Sequence, residues 1–450
     1  MTAFTPFADE AATRTWLTRL AETAIDAVHP ASLLPERLPE PPRGRTVVVG
    51  AGKAAAAMAR ALERAWQARA RDAGRDDPLD GLVVTRHGHG EACRRIEVLE
   101  ASHPMPDALG EQAAERMLAA VEPLGEDDLV IALVSGGGSA LMTRPAPGLT
   151  LRQKQALNRE LLRSGAPIRE INTVRRHLSA IKGGRLAAAA HPARVVTYLI
   201  SDVPGDEPSL VASGPTLPDD STPAHALAIL ERRGITVPDS VRRHLVSDRS
   251  APRRDDPGFA RDETVVLARA ADALAAARER AARSGLDVRV LGDDLEGEAR
   301  DLGRAQAMLA LKAQGECRRP LLILSGGETS VTVRGEGRGG RNVEYLLGVF
   351  DTLKGAEGIY ALAIDTDGID GSEDNAGAVI SPDHWQRACE ARLSPADYLA
   401  RNDAYRFFAA LEALIVTGPT RTNVNDFRAL LVMPRRDGDG VREDGMGGAL

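Results

Sequence analysis

From Thr46 onward the chain repeats one pattern: a short β-branched or leucine-rich run, then a longer alanine-rich amphipathic stretch. TVVVG (46–50), GLVVT (81–85), RIEVLE (95–100), LVIALV (129–134) and RVVTYLIS (194–201) read as strands, with helices starting near Lys53, Asp107 and Leu151 between them. Runs this uniformly apolar are buried on both faces, which requires a mainly parallel sheet covered by helices. A second alternation follows a polar, Pro-containing stretch, with TVVLA (264–268), DVRVLG (287–292), LLILSG (321–326), IYALAIDTDG (359–368) and LIVTG (414–418). The expectation is an α/β fold of two Rossmann-like domains with mainly parallel sheets. Residues 1–250 form the larger unit, 251–262 the linker, 263–433 the second unit and 434–450 a disordered tail. A helix over 8–28 carries Ala12, Trp16, Leu20 and Ile25 on its apolar face.

Two of the strands end in the same glycine-rich hook, LVIALVSGGGSA (129–140) and LLILSGGETS (321–330). Ligands of open α/β sheets bind beyond the carboxyl ends of strands, where glycines let successive amides approach an anion. Each hook is therefore a candidate phosphate or carboxylate site. The remaining composition narrows the options. A net charge of -7 leaves no basic footprint for nucleic acid. Cys93, Cys317 and Cys389 lack paired spacing, which argues against disulfides or a zinc site. An acidic N-terminus and the lack of an apolar run near ~20 residues suggest a cytoplasmic protein without a membrane partner.

The polar segments at the strand ends carry the chemistry. In VVVGAGKAAAAM (47–58), Lys53 adds a point charge to amides at a helix N-terminus. The loose dinucleotide pattern there is weak, because the next strand ends in Thr85 and Arg86 rather than the acid that holds a ribose. In SGGGSA, the span from Ser135 through Gly136, Gly137 and Gly138 to Ser139 suits a small acid or a phosphate. INTVRRHLSAIKGG places Arg175 and Lys182 seven residues apart, which would put both on one helical face. SDVPGDEP supplies Asp202 and Asp206, four apart on a loop, as a magnesium pair or a base. SGGETSVTVRGEGRGGRN (325–342) offers Ser325, Gly326, Gly327, Glu328 and Thr329, then a cationic loop with Arg334, Arg338, Gly339, Gly340 and Arg341, able to close over a triphosphate. Asn342 follows directly, and Asp365, Asp367 and Asp370 in AIDTDGIDG read as a loop that either contacts a nucleotide or supports residues that do.

Together, GAGKA, ASHPMPD, SGGGSA, INTVRRHLSAIKGG, SDVPGDEPSLVASGPT, SGGETSVTV, GRGGRN, DTDGIDG and TGPTRTNVND resemble the type II glycerate kinases with a MOFRL domain, a family often labelled hydroxypyruvate reductase. The resemblance spans about residues 10–433. It implies two α/β domains with the active site in their cleft, and transfer of phosphate from ATP, with Mg2+, to D-glycerate to give 2-phosphoglycerate. It implies that Lys53 and Arg341 are the essential cations; beside them, the expectation for Asp202 or Asp206 is that one accepts the hydroxyl proton or holds magnesium. Ser135–Ser139, Arg175 and Lys182 fall on the glycerate side. Ser325–Thr329, Gly339, Gly340, Asn342 and Asp367 fall on the nucleotide side. A homodimer is left open. Val343 and Glu373 stand where Gln and Thr are expected, and Ala180 where a basic residue is common. The rivals are an NAD(P)-dependent hydroxypyruvate reductase and a non-catalytic sensor of sugar acids.

Overall fold

The computed structural model describes residues 9–74, 76, 78–203, 205, 207–247 and 252–435. Its strands form two six-stranded sheets. In the first, β1 (Thr46–Ala51), β2 (Leu79–Arg86), β3 (Ile96–Ala101), β4 (Leu129–Ser135), β5 (Arg194–Ile200) and β6 (Glu263–Ala268) lie in the order β3-β2-β1-β4-β5-β6, all parallel. The polar stretch before residue 263 therefore does not divide the sheets. The strand assigned to the second unit from its position after that stretch closes the edge of the first, because Val196 to Ile200 offer it a parallel partner.

The second sheet contains β7 (Asp287–Val290), β8 (Leu321–Ser325), β9 (Ile359–Asp365), β10 (Gly377–Ile380), β11 (Leu414–Ile415) and β12 (Asp426–Val432), ordered β11-β10-β9-β12-β8-β7. Here only β7 and β8 pair in parallel. β12 runs antiparallel between β8 and β9, so this sheet is mixed rather than mainly parallel. The α/β character is unchanged, with helices covering both sheets.

Alternation along the buried strands divides the interior. Val47, Val49 and Ala51 enter one core on the outer face of the first sheet, and Val48 enters another, which continues without a break to Leu322, Leu324 and Leu362 of the second sheet. The Glu10–Ala27 helix joins the sheets by inserting Trp16, Leu17 and Leu20 into this shared core. It belongs with the second sheet: Arg14 donates to Ser381 Oγ at 2.6 Å and to Asp383. A small satellite core under the Leu151–Arg163 and Ile168–His177 helices contains Leu157, Leu161 and Val174. It roofs one side of the cavity described next.

Candidate active site

The first hook and the Lys53 turn are built as one piece. Gly52, at φ +143°, brings the backbone so close to Ser135 that a Cβ would lie 2.1 Å from its Oγ. That hydroxyl accepts the Ala54 N–H at 3.0 Å, and the Gly136 carbonyl accepts the Lys53 N–H at 2.8 Å. Ser135 is thus buried structural support, while Gly137 and Ser139 reach the cavity. Gly136 has no room for a side chain, since its Cβ would stand 1.9 Å from Asp202 Oδ2. Gly138 is also closely packed, its Cβ position lying 2.7 Å from the Ala51 carbonyl oxygen.

Lys53 points across to the other sheet, where its Nζ donates to Asp367 Oδ2 at 2.6 Å. Burial alone would lower the Lys53 pKa, but Asp367 and Asp365 outweigh it and hold the amine above its ordinary value. Burial likewise opposes ionisation of Asp367. The Lys53 ammonium wins and keeps that carboxyl below its usual range. Asp365 is buried beside Asp367, and both effects push its carboxyl well up. On its far side Asp365 Oδ2 accepts from Arg341 Nη2 at 2.8 Å. Arg341 also binds Glu328, and its Nε donates to Asp426 Oδ1 at 2.9 Å. Asp426 in turn pairs with Arg428, and neither of those side chains is exposed. One line of paired cations and carboxyls, with Asp367 and Asp365 side by side at its middle, therefore runs from Lys53 to Arg428, linking both sheets.

Arg341 enters this line because it opens the Arg341–Leu353 helix. Asp370 caps that helix, accepting the Asn342 and Val343 N–H groups at 3.0 and 2.9 Å, and burial pushes its carboxyl up to about 6. Gly340 lies against Asp370 with no space for a Cβ, and Asn342 Nδ2 donates to Asp426 at 2.8 Å. The unexpected Val343 changes little here, because its backbone makes the contact. Glu373, the other departure, pairs with Arg338 at 2.6 Å. The loop holding Gly339 does not arch over the cavity. It is laid along residues 401–405, with the Arg334 and Arg338 amides donating to Asn402 and Asp403.

A cavity of about 480 Å³ opens between the lobes, lined by His103, Gly137, Ser139, Arg175, Asp202, Glu328 and Thr329 among others. Asp202 Oδ2 accepts from Asn423 at 3.2 Å, and burial, then the Glu328 charge, pushes its carboxyl up to about 6. Asp206 lies outside the described residues. Ser139 shares a hydrogen bond with Ser213 at 2.9 Å, and Ser213 donates to Asn172. Arg175 lines the cavity, but Lys182 does not share its helix, which ends at His177. Fully buried, Lys182 donates to the Met142 carbonyl at 2.6 Å. In the second hook Ser325 turns inward to Gln306, and the Gly326 N–H is taken by the Gly292 carbonyl, so neither faces a ligand. The Gly327 carbonyl accepts the Asp426 N–H, while Glu328 and Thr329 do reach the cavity.

Sequence reasoning passed over two cavity residues. His103, in the quoted ASHPMPD, is kept neutral by burial and then by Lys53, which lower its pKa to about 3. Lys154 looked like any polar residue of an amphipathic helix; its position on the apolar side of that helix, one turn before Leu157 and Asn158, was the available signal.

Two α/β lobes that hold a lysine and an arginine amid carboxylates beside one cavity define a transferase-type site for a small anion. Comparison with known proteins places it further. The model of a domain of unknown function, DUF4147, matches residues 16–246, and that of the MOFRL family matches 321–426. A D-glycerate 2-kinase from Thermotoga maritima is 37% identical over 411 residues, covering 90% of this chain and 95% of that protein. The crystal structure of a glycerate kinase from the same organism superposes with a TM-score of 0.83 at 36% identity, covering 94% of this chain and all of the other. An Agrobacterium vitis protein provisionally named hydroxypyruvate reductase is 50% identical over 429 residues, covering 94% and 95%. The chain belongs to the glycerate kinase family with a MOFRL domain and is an enzyme of that kinase class. Among the described residues no helix is long and apolar enough to cross a membrane.

Proposed function

We propose that this enzyme transfers the γ-phosphoryl group of ATP, with Mg2+, to the 2-hydroxyl of D-glycerate. The observation that carries the reading is the run from Lys53 through Asp367 and Asp365 to Arg341, set beside a cavity that holds an Asp carboxylate. In the reaction the substrate O–H gives its proton to Asp202, its oxygen bonds to the γ-phosphorus, and the bond from that phosphorus to the β-bridging oxygen breaks, releasing ADP. Such a transfer needs alignment and charge stabilisation more than covalent help. Lys53 and Arg341 supply the charge, exchanging part of their pairing with Asp367 and Asp365 for phosphate oxygens. Asp202, with a carboxyl near 6, is ionised and ready to accept a proton at neutral pH.

Among the described residues no group of three acid, histidine or cysteine side chains could hold a metal alone. Magnesium bound with a nucleotide needs only one or two carboxylates besides the phosphates. As the alternative to its role as base, Asp202 fits the ion, having hard oxygens in the cavity of which Asn423 takes one lone-pair direction. When bound, the ion would neutralise phosphate charge. A reductase reading follows from the name of the Agrobacterium relative, but β2 ends in Thr85 and Arg86, with no carboxylate for a nicotinamide ribose. The test supplies the purified protein with D-glycerate, ATP and Mg2+, follows ADP formation and identifies the ester by phosphorus NMR. A parallel sample receives hydroxypyruvate with NADH or NADPH. Absence of ADP, or cofactor oxidation in the second sample, would refute the proposal.

A further inference from the structure

The Leu151–Arg163 helix leaves Lys154 in a position soluble proteins rarely tolerate. Its side chain lines the cavity, only 7% exposed, and its Nζ has no hydrogen-bond partner. A buried polar group without a partner costs about 1–3 kcal/mol, more when charged, so a site that keeps one implies an occupant. Arg175, from the Ile168–His177 helix, lines the same end and is oriented by a bond from its Nε to Asn158 Oδ1 at 2.8 Å. Other charges facing this region are Lys182, Arg185 and Glu111. Lys182 and Arg185 are spent on the Met142 and Arg176 carbonyls, and Glu111 on Arg144. A surplus of positive charge thus faces an apolar wall that includes Leu157, Leu161 and Leu178.

We propose that Lys154 and Arg175 together form the carboxylate subsite of the cavity, gripping the acid end of a short 2-hydroxy acid while its hydroxyl is presented toward Asp202. This deepens the kinase reading by assigning the acid end of its acceptor. In a low-dielectric pocket such charge-assisted bonds are worth about twice neutral ones. Burial, reinforced by Arg175, holds the amine near pKa 7, against the weaker pull of Glu111. An arriving carboxylate favours the ammonium, so binding near neutral pH takes up a proton.

The decisive variant is Lys154→Met, similar in volume and free of the unpaired amine. Titration calorimetry of D-glycerate into wild type near pH 7, in buffers of different ionisation enthalpy, is expected to show net uptake of about half a proton. In Lys154→Met that uptake vanishes, and the Kd and KM for D-glycerate rise about 10- to 100-fold, the worth of one charge-assisted hydrogen bond. The KM for ATP stays within about 2-fold, and the urea midpoint without ligand is no lower than wild type, as a purely structural lysine would not allow. Arg175→Met repeats the loss of glycerate affinity. Unchanged D-glycerate affinity in Lys154→Met, or a shift confined to the KM for ATP, would overturn the assignment. If wild type binds D-glycerate with proton uptake lost in Lys154→Met but makes no ADP, the subsite stands and the kinase reading alone falls.

Discussion

The Lys53–Asp367 pair makes the sharpest quantitative demand, because it joins the two lobes through side chains that are 14% and 1% exposed. At an effective dielectric of ~20, unit charges ~4 Å apart attract by about 4 kcal/mol. Breaking a buried pair from one side costs about 3–5 kcal/mol, since the remaining charge is stranded. Lys53→Met leaves Asp367 facing Asp365, so this change should cost about 3 kcal/mol, softened as the two carboxyls share a proton. Asp367→Asn leaves an ammonium that still has Asp365 nearby and should cost somewhat less. With both changes present no stranded charge remains. The double variant should therefore be more stable than the sum of single losses implies, by at least ~2 kcal/mol of coupling. Urea unfolding of the four proteins at pH 7, followed by circular dichroism, measures this. The signs in pH follow from the directions of the two shifts. The Asp367 contribution is present above the ordinary carboxylate pKa and is lost as acid passes its depressed folded value. The Lys53 contribution is present below the ordinary lysine pKa and is lost only as the pH rises past its elevated folded value. Acid destabilisation should consequently be weaker in the double variant. Additivity within ~0.5 kcal/mol, or a Lys53→Met cost below ~1 kcal/mol, would refute the argument.

Asp202→Asn should lower kcat by about 10²- to 10⁴-fold and abolish the rise of kcat/KM through about pH 6 that ionisation of Asp202 gives wild type; a profile retaining that limb would assign the base elsewhere. Gly136→Ala should fold yet lose at least ~100-fold in turnover, because the new methyl displaces Asp202 and Asn423; near-normal rates would show that the hook can shift without consequence. Arg428→Met, which leaves buried Asp426 with Arg341 and Asn342 as its close side-chain partners at the inner end of the line, should lower stability by about 1–3 kcal/mol in urea unfolding, and an unchanged midpoint would mean that Arg341 alone compensates Asp426.

Features set by adjacent residues were legible in the sequence. A buried strand followed by glycines, as at Val134–Gly138 or Val49–Gly52, fixes a tight turn at the sheet edge, and Lys53 sits where that turn dictates. Features set by distant pairing were not. Nothing local says that Asp426–Val432 runs antiparallel between β8 and β9, yet that insertion delivers Asp426 to Arg341. Seven-residue spacing could not align Arg175 with Lys182, because the helix stops between them, near Leu178. Ser325 shows the same limit: the two hooks share their glycines, but the first presents Gly137 and Ser139 to the cavity and the second Glu328 and Thr329, while Gln306 captures Ser325 from a helix whose packing no short motif encodes.

The path of the chain between lobes constrains how they can move. The Glu10–Ala27 helix rests on the second sheet, and the Val28 carbonyl is still held there by the Thr422 hydroxyl; the backbone then passes to the first sheet. It returns after β6, where the Ala270–Arg283 helix packs beside the N-terminal helix. Two backbone crossings, near residues 28–30 and 268–270, act like the two pins of a door. They favour rotation about the line joining them over sliding or twisting of one lobe on the other. The same pins make the lobes inseparable by a single cut. A fragment beginning at residue 263 would carry off β6, exposing the edge of β5, and would leave behind the helix that covers its own sheet.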